Sequence, residues 1–320
     1  MLVLGCPNQH YKNGEEMKIA RIWSLTKIVV HGHILNWPWR SRAARRRVRT
    51  DYTAKVATQY FKRYLSAAAK VVETPVEKDD KNDKIWTIWL QGERRAPKLV
   101  RACFKSVRKH CKQELVILDA DTIFDYIDLP DEIVRKYRDG KIGNAHFADI
   151  CRVELLYRYG GYWLDATGFV TSAIPKWISD SDFFVYLAGH NYNIGGSPYS
   201  FMQNCFIRAR RGAYLLSAWR AMILDYWMHE NHTFDYFMHQ LLFRTLVEND
   251  ARAKKYFKNM PHVDQDPTHA LWWAYQDKPF DKKIFDKLTS ESFFQKTTYR
   301  GTENPIPDSF ADVMINKMYK

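Results

Sequence analysis

The stretch FADICRVELLYRYGGYWLDAT, residues 147–167, carries the strongest fold signal in the sequence. Its first part has a helical pattern that ends at Gly160 and Gly161, because adjacent glycines tolerate the positive φ of a tight turn. Residues 162–165 then form a predicted short strand with Asp165 at its C-terminal end. Open α/β sheets bind their ligands at that end of their strands. The stretch therefore predicts a helix–turn–strand unit that ends in a candidate binding residue.

Short apolar runs and helical patterns alternate on both sides of this unit. Residues 85–90 (IWTIWL) and residues 115–118 (LVIL) are predicted strands, since both are rich in β-branched, aromatic or aliphatic residues. Helices are predicted from Pro97 to about His110, from Pro130 towards Arg138, and over residues 145–159 with Asn144 as cap. This alternation is typical of a largely parallel sheet with helices on its faces, so the predicted fold class is α/β.

The basic residues are distributed unevenly along the chain. Residues 1–70 contain 14 Lys or Arg and 3 acids, so they carry +11 of the formal net charge of +13. We predict a basic helical segment over residues 1–72 and a polar linker with Pro75 over residues 73–84. The main domain is predicted over residues 85–320.

Within the basic segment, Trp37 and Trp39 precede six arginines that begin at Arg40 and end at Arg49. Tryptophan beside clustered arginine is typical of an element that lies on an anionic membrane surface. Two alternatives stay open: a helical hairpin packed on the main domain, and a nucleic-acid-binding surface. A nucleic-acid partner is not expected, because the nearly neutral remainder of the chain would then have no role.

Cysteine usage and hydropathy point to a reducing compartment. The five cysteines are scattered, odd in number and without CxxC spacing, which argues against a disulfide framework or a zinc site. The N-terminus lacks a signal-peptide pattern, and no stretch approaches the ~20 apolar residues of a membrane span. We expect a cytoplasmic protein that is peripheral on the inner face of the cell membrane.

Three residues in the opening stretch suit a phosphorylated ligand. Asp149 and Arg152 are three residues apart and share one helix face, while Asp165 ends the following strand. A carboxylate at a strand end can ligate a hard divalent cation, a second can accept ribose hydroxyls, and an Arg can orient either or meet phosphate. A surface ion pair with a strand cap is the alternative. No GxSxG, HExxH or P-loop signature is present, so a hydrolase has little support.

A longer pattern resembles a known family. Ala148-Asp149-x-x-Arg152, followed by Gly160-Gly161-x-Trp163-Leu164-Asp165-Ala166-Thr167, closely resembles the bacterial capsular polysaccharide synthesis glycosyltransferases. These are relatives of the family-32 glycosyltransferases and, more distantly, of the glucosylating clostridial toxins. The resemblance covers roughly residues 84–300. Its other parts are Ile85-Trp86-x-x-Trp89-x-Gln91-Gly92, Asn204-x-Phe206-Ile207-x-Ala209, Asp235-Tyr236-Phe237 and Phe294-x-Lys296-x-Thr298-Tyr299.

The resemblance implies a GT-A fold, a UDP-sugar donor, a divalent cation (Mn²⁺ or Mg²⁺) and retention of anomeric configuration. UDP-galactose or UDP-glucose is favoured as donor, and the implied acceptor is a glycan or lipid-linked glycan in capsular or surface polysaccharide synthesis. The implied catalytic residues are Asp165, Asp235 and Asn204. The implied donor-binding residues are Trp89, Gln91, Asp149, Arg152, Trp163 and Lys296. The implied metal ligands are Asp165 and Thr167.

Several of these assignments have competing interpretations. Thr167 stands where related families have a second carboxylate, so the metal requirement is in doubt, and a non-catalytic sugar-binding relative is an alternative. Asn204 could cap a strand end, and Asp235 could serve the N-terminus of a helix that begins near residue 232. Lys296 and Arg300 could belong to a solvated loop. An aromatic platform of His269, Trp272 and Trp273 could equally be core.

Overall fold

The computed structural model describes residues 8–35, 42–77, 83–188 and 201–319 of the 320-residue chain. The strands in these residues are β1 (Ile85–Ile88), β2 (Leu115–Leu118), β3 (Gly161–Leu164), β4 (Gly168–Val170), β5 (Phe183–Leu187), β6 (Met202–Ala209) and β7 (Phe294–Lys296). The α-helices are α1 (Asn8–Leu35), α2 (Arg42–Phe61), α3 (Leu65–Ala69), α4 (Lys98–His110), α5 (Asp131–Arg138), α6 (Asn144–Tyr159), α7 (Lys176–Ser179), α8 (Tyr214–His229), α9 (Met238–Asn249), α10 (Ala251–Asn259), α11 (Asp266–Ala270), α12 (Lys282–Glu291) and α13 (Phe310–Asn316).

Five strands form a central sheet in the order β2-β1-β3-β6-β5. Strands β2, β1 and β3 are parallel, β6 runs antiparallel to β3, and β5 runs antiparallel to β6. Four of the five strands therefore point the same way. The α/β class and the mostly parallel central sheet expected from the sequence are confirmed.

The direction of β6 explains how two predicted site residues meet. Because β6 runs against β3, its first residues lie at the edge where β3 ends, and Leu164 pairs with Phe206. The backbone N–H of Asp165 then donates to the carbonyl of Cys205 at 2.8 Å. Asn204 consequently lies beside Asp165, although the two are 39 positions apart in the sequence.

A two-stranded sheet joins the C-terminal part of the chain to this edge. Strand β7 runs antiparallel to β4, and the register sets Lys296 opposite Gly168. The backbone N–H and the hydroxyl of Thr297 both donate to the carbonyl of Thr167, each at 2.9 Å. These bonds fix Lys296 next to the residues that follow Asp165.

Helix α6 carries the first two predicted site residues and is buried over most of its length. Its side chains are buried on nearly every side, although several of them are charged, as in a helix enclosed by other elements. It packs on β1, β3 and β6 and against α8. Its fully buried carboxylate, Glu154, pairs with Arg158 and Arg220, so the charge is compensated.

The turn between α6 and β3 depends on glycine, as predicted. Gly160 ends the helix with φ +69° and donates its N–H to Leu156, and Gly161 begins β3 with φ +94°. A Cβ at Gly161 would overlap the backbone oxygen of Lys84, just before β1. The second glycine is therefore required both by its conformation and by close packing against the neighbouring strand.

Most predicted elements have the expected positions. Helix α4 begins after Pro97, β2 has the predicted bounds, and α5 follows Pro130. Two expectations were wrong. Asn144 is the first residue of α6, and Gly143, not Asn144, is its N-cap. The helix near residue 232 begins only at Met238, and Asp235 lies in the turn before it. The carboxylate of Asp235 accepts the Phe237 N–H at 2.8 Å, so it shapes that turn.

The N-terminal helices pack on the rest of the chain. Ala57 and Phe61 of α2 are fully buried in the same core as α8 and α9. The hydroxyls of Tyr60 and Tyr64 donate to the buried carboxylate of Glu230. The packed-hairpin alternative thus describes this part of α2 well. The division into residues 1–72, 73–84 and 85–320 stays a prediction.

Part of the segment predicted to lie on a membrane surface is outside the residues that the structure describes. Trp37, Trp39 and Arg40 lie outside the described residues, and for residues 42–49 the structure describes the helical backbone alone. In the part of the chain that is described, no helix combines the length and the apolar character needed to cross a bilayer.

Candidate functional site

A cavity of about 450 Å³ opens where β1 and β3 end and β6 begins. Helix α6 lies on one side, α9 on another, and β7 and the π-helical turn 271–275 complete the wall. The lining combines charged, carboxamide and aromatic side chains, which are Trp89, His146, Asp149, Arg152, Trp163, Asp165, Thr167, Gln203, Asn204, Tyr236, Phe237, Gln240, Gln265, His269, Trp272, Trp273, Lys296 and Tyr299.

Asp165 lies at the centre of the charged group. Its Oδ2 accepts from Lys296 Nζ at 2.6 Å, and its Oδ1 accepts from the Trp163 indole at 2.8 Å and from Arg152 at 3.3 Å. Burial opposes ionisation, but Lys296 and Arg152 together hold the pKa of this carboxyl below its usual range. Asp165 is therefore a well-oriented anion at neutral pH.

Arg152 joins the two predicted carboxylates. Its Nη2 meets Asp165, and its Nη1 lies 3.0 Å from Asp149 Oδ1 and donates to the Asn204 carbonyl at 2.7 Å. The guanidinium also lies over the Trp163 ring, 4.8 Å from its centre. The predicted grouping of Asp149, Arg152 and Asp165 around one cavity is thus what the structure contains.

Asp149 is oriented by neighbours from three elements. The Asn204 amide donates to its Oδ1 at 2.7 Å, and His239 Nδ1 lies 3.3 Å from its Oδ2. Burial raises the pKa of the Asp149 carboxyl. The charge of Arg152, together with the nearby rings of His239 and His146, outweighs burial and keeps that pKa low. Asn204, a predicted catalytic residue, uses its amide group to position Asp149.

Trp227 fixes the proton of His239. The Trp227 indole donates to His239 Nε2 at 3.0 Å, and an indole N–H can only donate. Burial lowers the pKa of His239 to about 3, so the ring is neutral and its single proton is on Nδ1, facing Asp149. The Nδ1–H of His239 therefore lies 3.3 Å from that carboxylate, although the pair does not meet the geometry of a hydrogen bond.

His146, Asp149 and His239 have ligand atoms within 4.8 Å of one another, as in a metal site. His146 Nδ1 lies 3.6 Å from Asp149 and has no hydrogen-bond partner among the described residues. His239 Nδ1, however, carries a proton and has no lone pair for a metal. The cluster of His146, Asp149 and His239 therefore does not fit a metal ion while the Trp227 indole donates to His239 Nε2.

The predicted metal ligands have a cation of their own. Lys296 Nζ donates to Asp165 Oδ2 at 2.6 Å and to Thr167 Oγ1 at 2.7 Å. One carboxylate and one hydroxyl, both bonded to an ammonium, do not fit a divalent cation as they stand. Metal binding by Asp165 and Thr167 stays a prediction.

Unpaired carboxamides line another part of the cavity. Gln265 is fully buried, and neither its side-chain oxygen nor its nitrogen has a partner among the described residues; the side-chain oxygen of Gln240 is also unpaired. Buried polar atoms without partners are costly unless a ligand or water completes them. Carboxamides can both donate and accept, as sugar hydroxyls do.

Aromatic rings form much of the remaining wall. Trp89 meets Tyr299 edge to face at 5.2 Å, and His269 lies 4.9 Å from Trp273. Trp272 and Tyr236 are substantially exposed although both line the cavity. Exposed rings at a cavity mouth suit stacking on a flat ligand.

Most of the residues predicted from the sequence line this cavity, and three do not. Gln91 is exposed in the turn after β1, Arg300 is exposed beyond β7, and Asp235 lies in its turn. Sequence reasoning missed His146, His239 and the glutamines that line the site, although it included His269. His146 could have been found, since it precedes Asp149 by one helical turn. Gln240 and Gln265 have no local sequence signal, because tertiary packing alone brings them to the cavity.

The chain is similar in sequence to known proteins. Residues 38–317 match the family described as capsular polysaccharide synthesis protein. The O-glycosyltransferase braB of Annulohypoxylon truncatum is 28% identical over 177 residues, a match that covers 51% of this chain and 41% of that protein. This chain therefore spans about two fifths of that curated relative's length.

Among solved structures, the PaToxG Glycosyltransferase aligns with 85% of this chain and 96% of its own, at 12% identity and a TM-score of 0.38. The family match takes in most of the chain, from α2 to the last helix. The protein is a member of the capsular polysaccharide synthesis protein family.

Proposed function

We propose that the protein is a GT-A-type glycosyltransferase that moves a hexose from a UDP-sugar to a glycan or lipid-linked glycan in capsular or surface polysaccharide synthesis. The observation that carries the proposal is the charged group Asp149–Arg152–Asp165–Lys296 in a cavity walled by aromatic rings and unpaired carboxamides. The family match and the similarity to the O-glycosyltransferase braB support the same reaction class.

In this proposal each part of the cavity has one task. Asp149, held by Arg152 and His239, accepts the ribose hydroxyls, while the aromatic wall holds the base. Lys296 and Arg152 face the diphosphate, whose negative charge grows as the sugar leaves. Gln240 and Gln265 complete the hydrogen bonds of the sugar hydroxyls, which satisfies their unpaired atoms.

Retention is proposed to occur by attack from the face that the diphosphate leaves. The acceptor hydroxyl oxygen bonds to the anomeric carbon, the bond from that carbon to the diphosphate breaks, and the hydroxyl proton passes to a phosphate oxygen. The carboxylates among the described lining residues are Asp149 and Asp165, and both are held by cationic or N–H donors. Such tethered, low-pKa carboxylates are poor candidates for a nucleophile or an acid.

Donor turnover tests the proposal. UDP release is measured with UDP-glucose, UDP-galactose and their N-acetyl forms, for the full chain and for Asp165→Ala. We expect turnover of at least one donor and a loss of about 100-fold or more in the variant, the scale for removing a group that orients transition-state charge. Exposed Asp125→Ala is the control. Undiminished turnover in Asp165→Ala would overturn the site assignment.

We also propose that the protein lies on the cytoplasmic face of the membrane and contacts it through a surface of α1. Ile19, Ile22, Trp23, Val29 and Val30 are each more than half exposed and share one helix face. The other side of α1 faces the protein, where Arg21 lies 3.8 Å from Glu230. Lys18 and Lys27 are exposed and nine residues apart, which places them on opposite edges of the apolar face.

An apolar stripe with lysine on both edges, in a segment of charge +11, suits an anionic lipid surface. We expect the full chain to sediment with vesicles of phosphatidylglycerol and phosphatidylcholine and to remain in solution with phosphatidylcholine alone. The double variant Ile22→Ser/Trp23→Ser should lose binding, while Ile306→Ser, equally exposed elsewhere, should retain it. Equal sedimentation of both variants, or a dimer that dissociates in the double variant, would contradict this location.

A further inference from the structure

The notch between Asp165 and Thr167 has an unexpected occupant. The family resemblance implies that these two oxygens bind a divalent cation, yet the ammonium of Lys296 bonds to both, at 2.6 and 2.7 Å. Lysine brings one positive charge and three donors, which suits two oxygen acceptors. We propose that Lys296 is a built-in cation that excludes a divalent metal ion from the Asp165–Thr167 notch.

The backbone holds Lys296 at this notch. It is the last residue of β7, paired with Gly168 of β4, and Thr297 anchors twice to the Thr167 carbonyl. The same hydrogen-bonded ladder therefore positions the ammonium and the hydroxyl it contacts. Moving the ammonium away from the notch would require breaking the β4–β7 pairing or displacing a side chain of which only 15% is exposed.

The charge of Lys296 is stable in this setting. Burial alone lowers the pKa of a lysine, but Asp165 reverses the effect and raises the pKa of Lys296 above its ordinary value. Cys205 and His269 lie close enough to influence it, and Arg152 is the other cation that faces Asp165. A metal ion would compete with this ammonium for the two oxygens that it contacts at 2.6 and 2.7 Å.

The inference rests on the proposed function for the meaning of the site, but its test needs no nucleotide. Mn²⁺ is titrated into the nucleotide-free full chain, and free Mn²⁺ is followed by its electron paramagnetic resonance signal. We expect the wild-type chain to show no stoichiometric site. Lys296→Met keeps the length of the side chain but removes its charge. This variant should bind one Mn²⁺ ion at least about tenfold more tightly than the wild type does, because the oxygens of Asp165 and Thr167 are released.

Three further chains sharpen the result. Lys296→Arg keeps the positive charge and should bind no more Mn²⁺ than the wild type, and exposed Lys287→Met should match the wild type. Lys296→Met/Asp165→Asn should lose the new site, which distinguishes the notch from the His146–Asp149–His239 cluster. Circular dichroism establishes that each variant is folded.

Two results would overturn the inference. One is a stoichiometric Mn²⁺ site in the wild-type chain that Asp165→Asn removes, an outcome that needs no Lys296 variant at all. The other is a folded Lys296→Met chain that binds no more Mn²⁺ than the wild type. Neither depends on sugar transfer, so the proposed function can fail by showing no donor turnover while this inference stands, or the reverse.

Discussion

At the scale of the residue, the site depends on charges and protons that burial fixes in one state. Asp165 is an anion because Lys296 and Arg152 face it, and His239 is neutral because it is buried and receives the Trp227 N–H. Because these groups are shielded from solvent, each hydrogen-bond or ion-pair partner has a large effect on their charge and orientation. Loss of one partner therefore changes the protonation or orientation of the next.

Stability should fall as the pH falls from neutrality. Burial lowers the pKa values of His239 and His269 to about 3, so between about pH 3 and 6.5 the unfolded chain binds protons that the folded chain does not. Each histidine then contributes a loss of up to about 1.4 kcal/mol per pH unit below 6.5. Urea unfolding near pH 7 and near pH 5 measures the loss.

His269→Gln should reduce that loss by about 2 kcal/mol over this range, since the residue can no longer bind the unfolded-state proton. Exposed His232→Gln serves as the control and should leave the difference in unfolding free energy between the two pH values nearly unchanged. An equal loss in His269→Gln and in the wild type would show that His269 is not neutral in the folded chain.

At the scale of the element, the helix–turn–strand unit of residues 144–164 brings the acid of α6 and the acid after β3 to one cavity. Its turn is built from two glycines, and the second begins a central strand against the Lys84 backbone. The geometry of Asp165 therefore depends on Gly161, which is not among the residues that line the cavity.

Gly161→Ala should destabilise the fold by more than about 3 kcal/mol, because the added carbon is both strained in conformation and in collision with Lys84. Gly140→Ala is a matched control, since Gly140 also has a positive φ but nothing within 4 Å of the added carbon. It should cost only about 1 kcal/mol. Chemical denaturation that gives equal losses for the two variants would contradict this account of the turn.

Local sequence was enough to predict this unit, because helix periodicity, paired glycines and a short apolar run act within a few residues. It was not enough for the rest of the site. His239 comes from α9 and Gln265 from the segment before α11, and tertiary packing decides where they point. Asp235 was misplaced because the helix that was predicted to begin near residue 232 begins only at Met238, about six residues later. Lys296 was predicted to meet phosphate, but its bond to Thr167 depends on the β4–β7 pairing.

At the scale of the whole molecule, the N-terminal helices and the sheet-bearing part share one core. Phe61 and Tyr64 of the N-terminal part are buried against Tyr226 and Phe234, and the buried Glu230 carboxylate receives hydroxyls from Tyr60 and Tyr64. The basic segment predicted as separate from the main domain thus contributes to its packing.

Phe61→Ala should lower the free energy of unfolding of the whole chain by about 3 to 5 kcal/mol, in a single transition, because it opens a cavity in the shared core. Partly exposed Phe124→Ala is the control and should cost about 1 kcal/mol or less. Unfolding followed by both circular dichroism and tryptophan fluorescence measures the effect. A separate early transition for the N-terminal helices would contradict the shared core.

In the proposed function, the cavity between α6, β3 and β7 holds a nucleoside diphosphate. A crystal structure of the full chain with UDP at saturating concentration tests it most directly. We expect the diphosphate to lie within hydrogen-bonding distance of Lys296. The ribose hydroxyls should lie at Asp149, and the base should lie against the aromatic wall. UDP bound elsewhere on the molecule, or an empty cavity in crystals grown at that concentration, would contradict it.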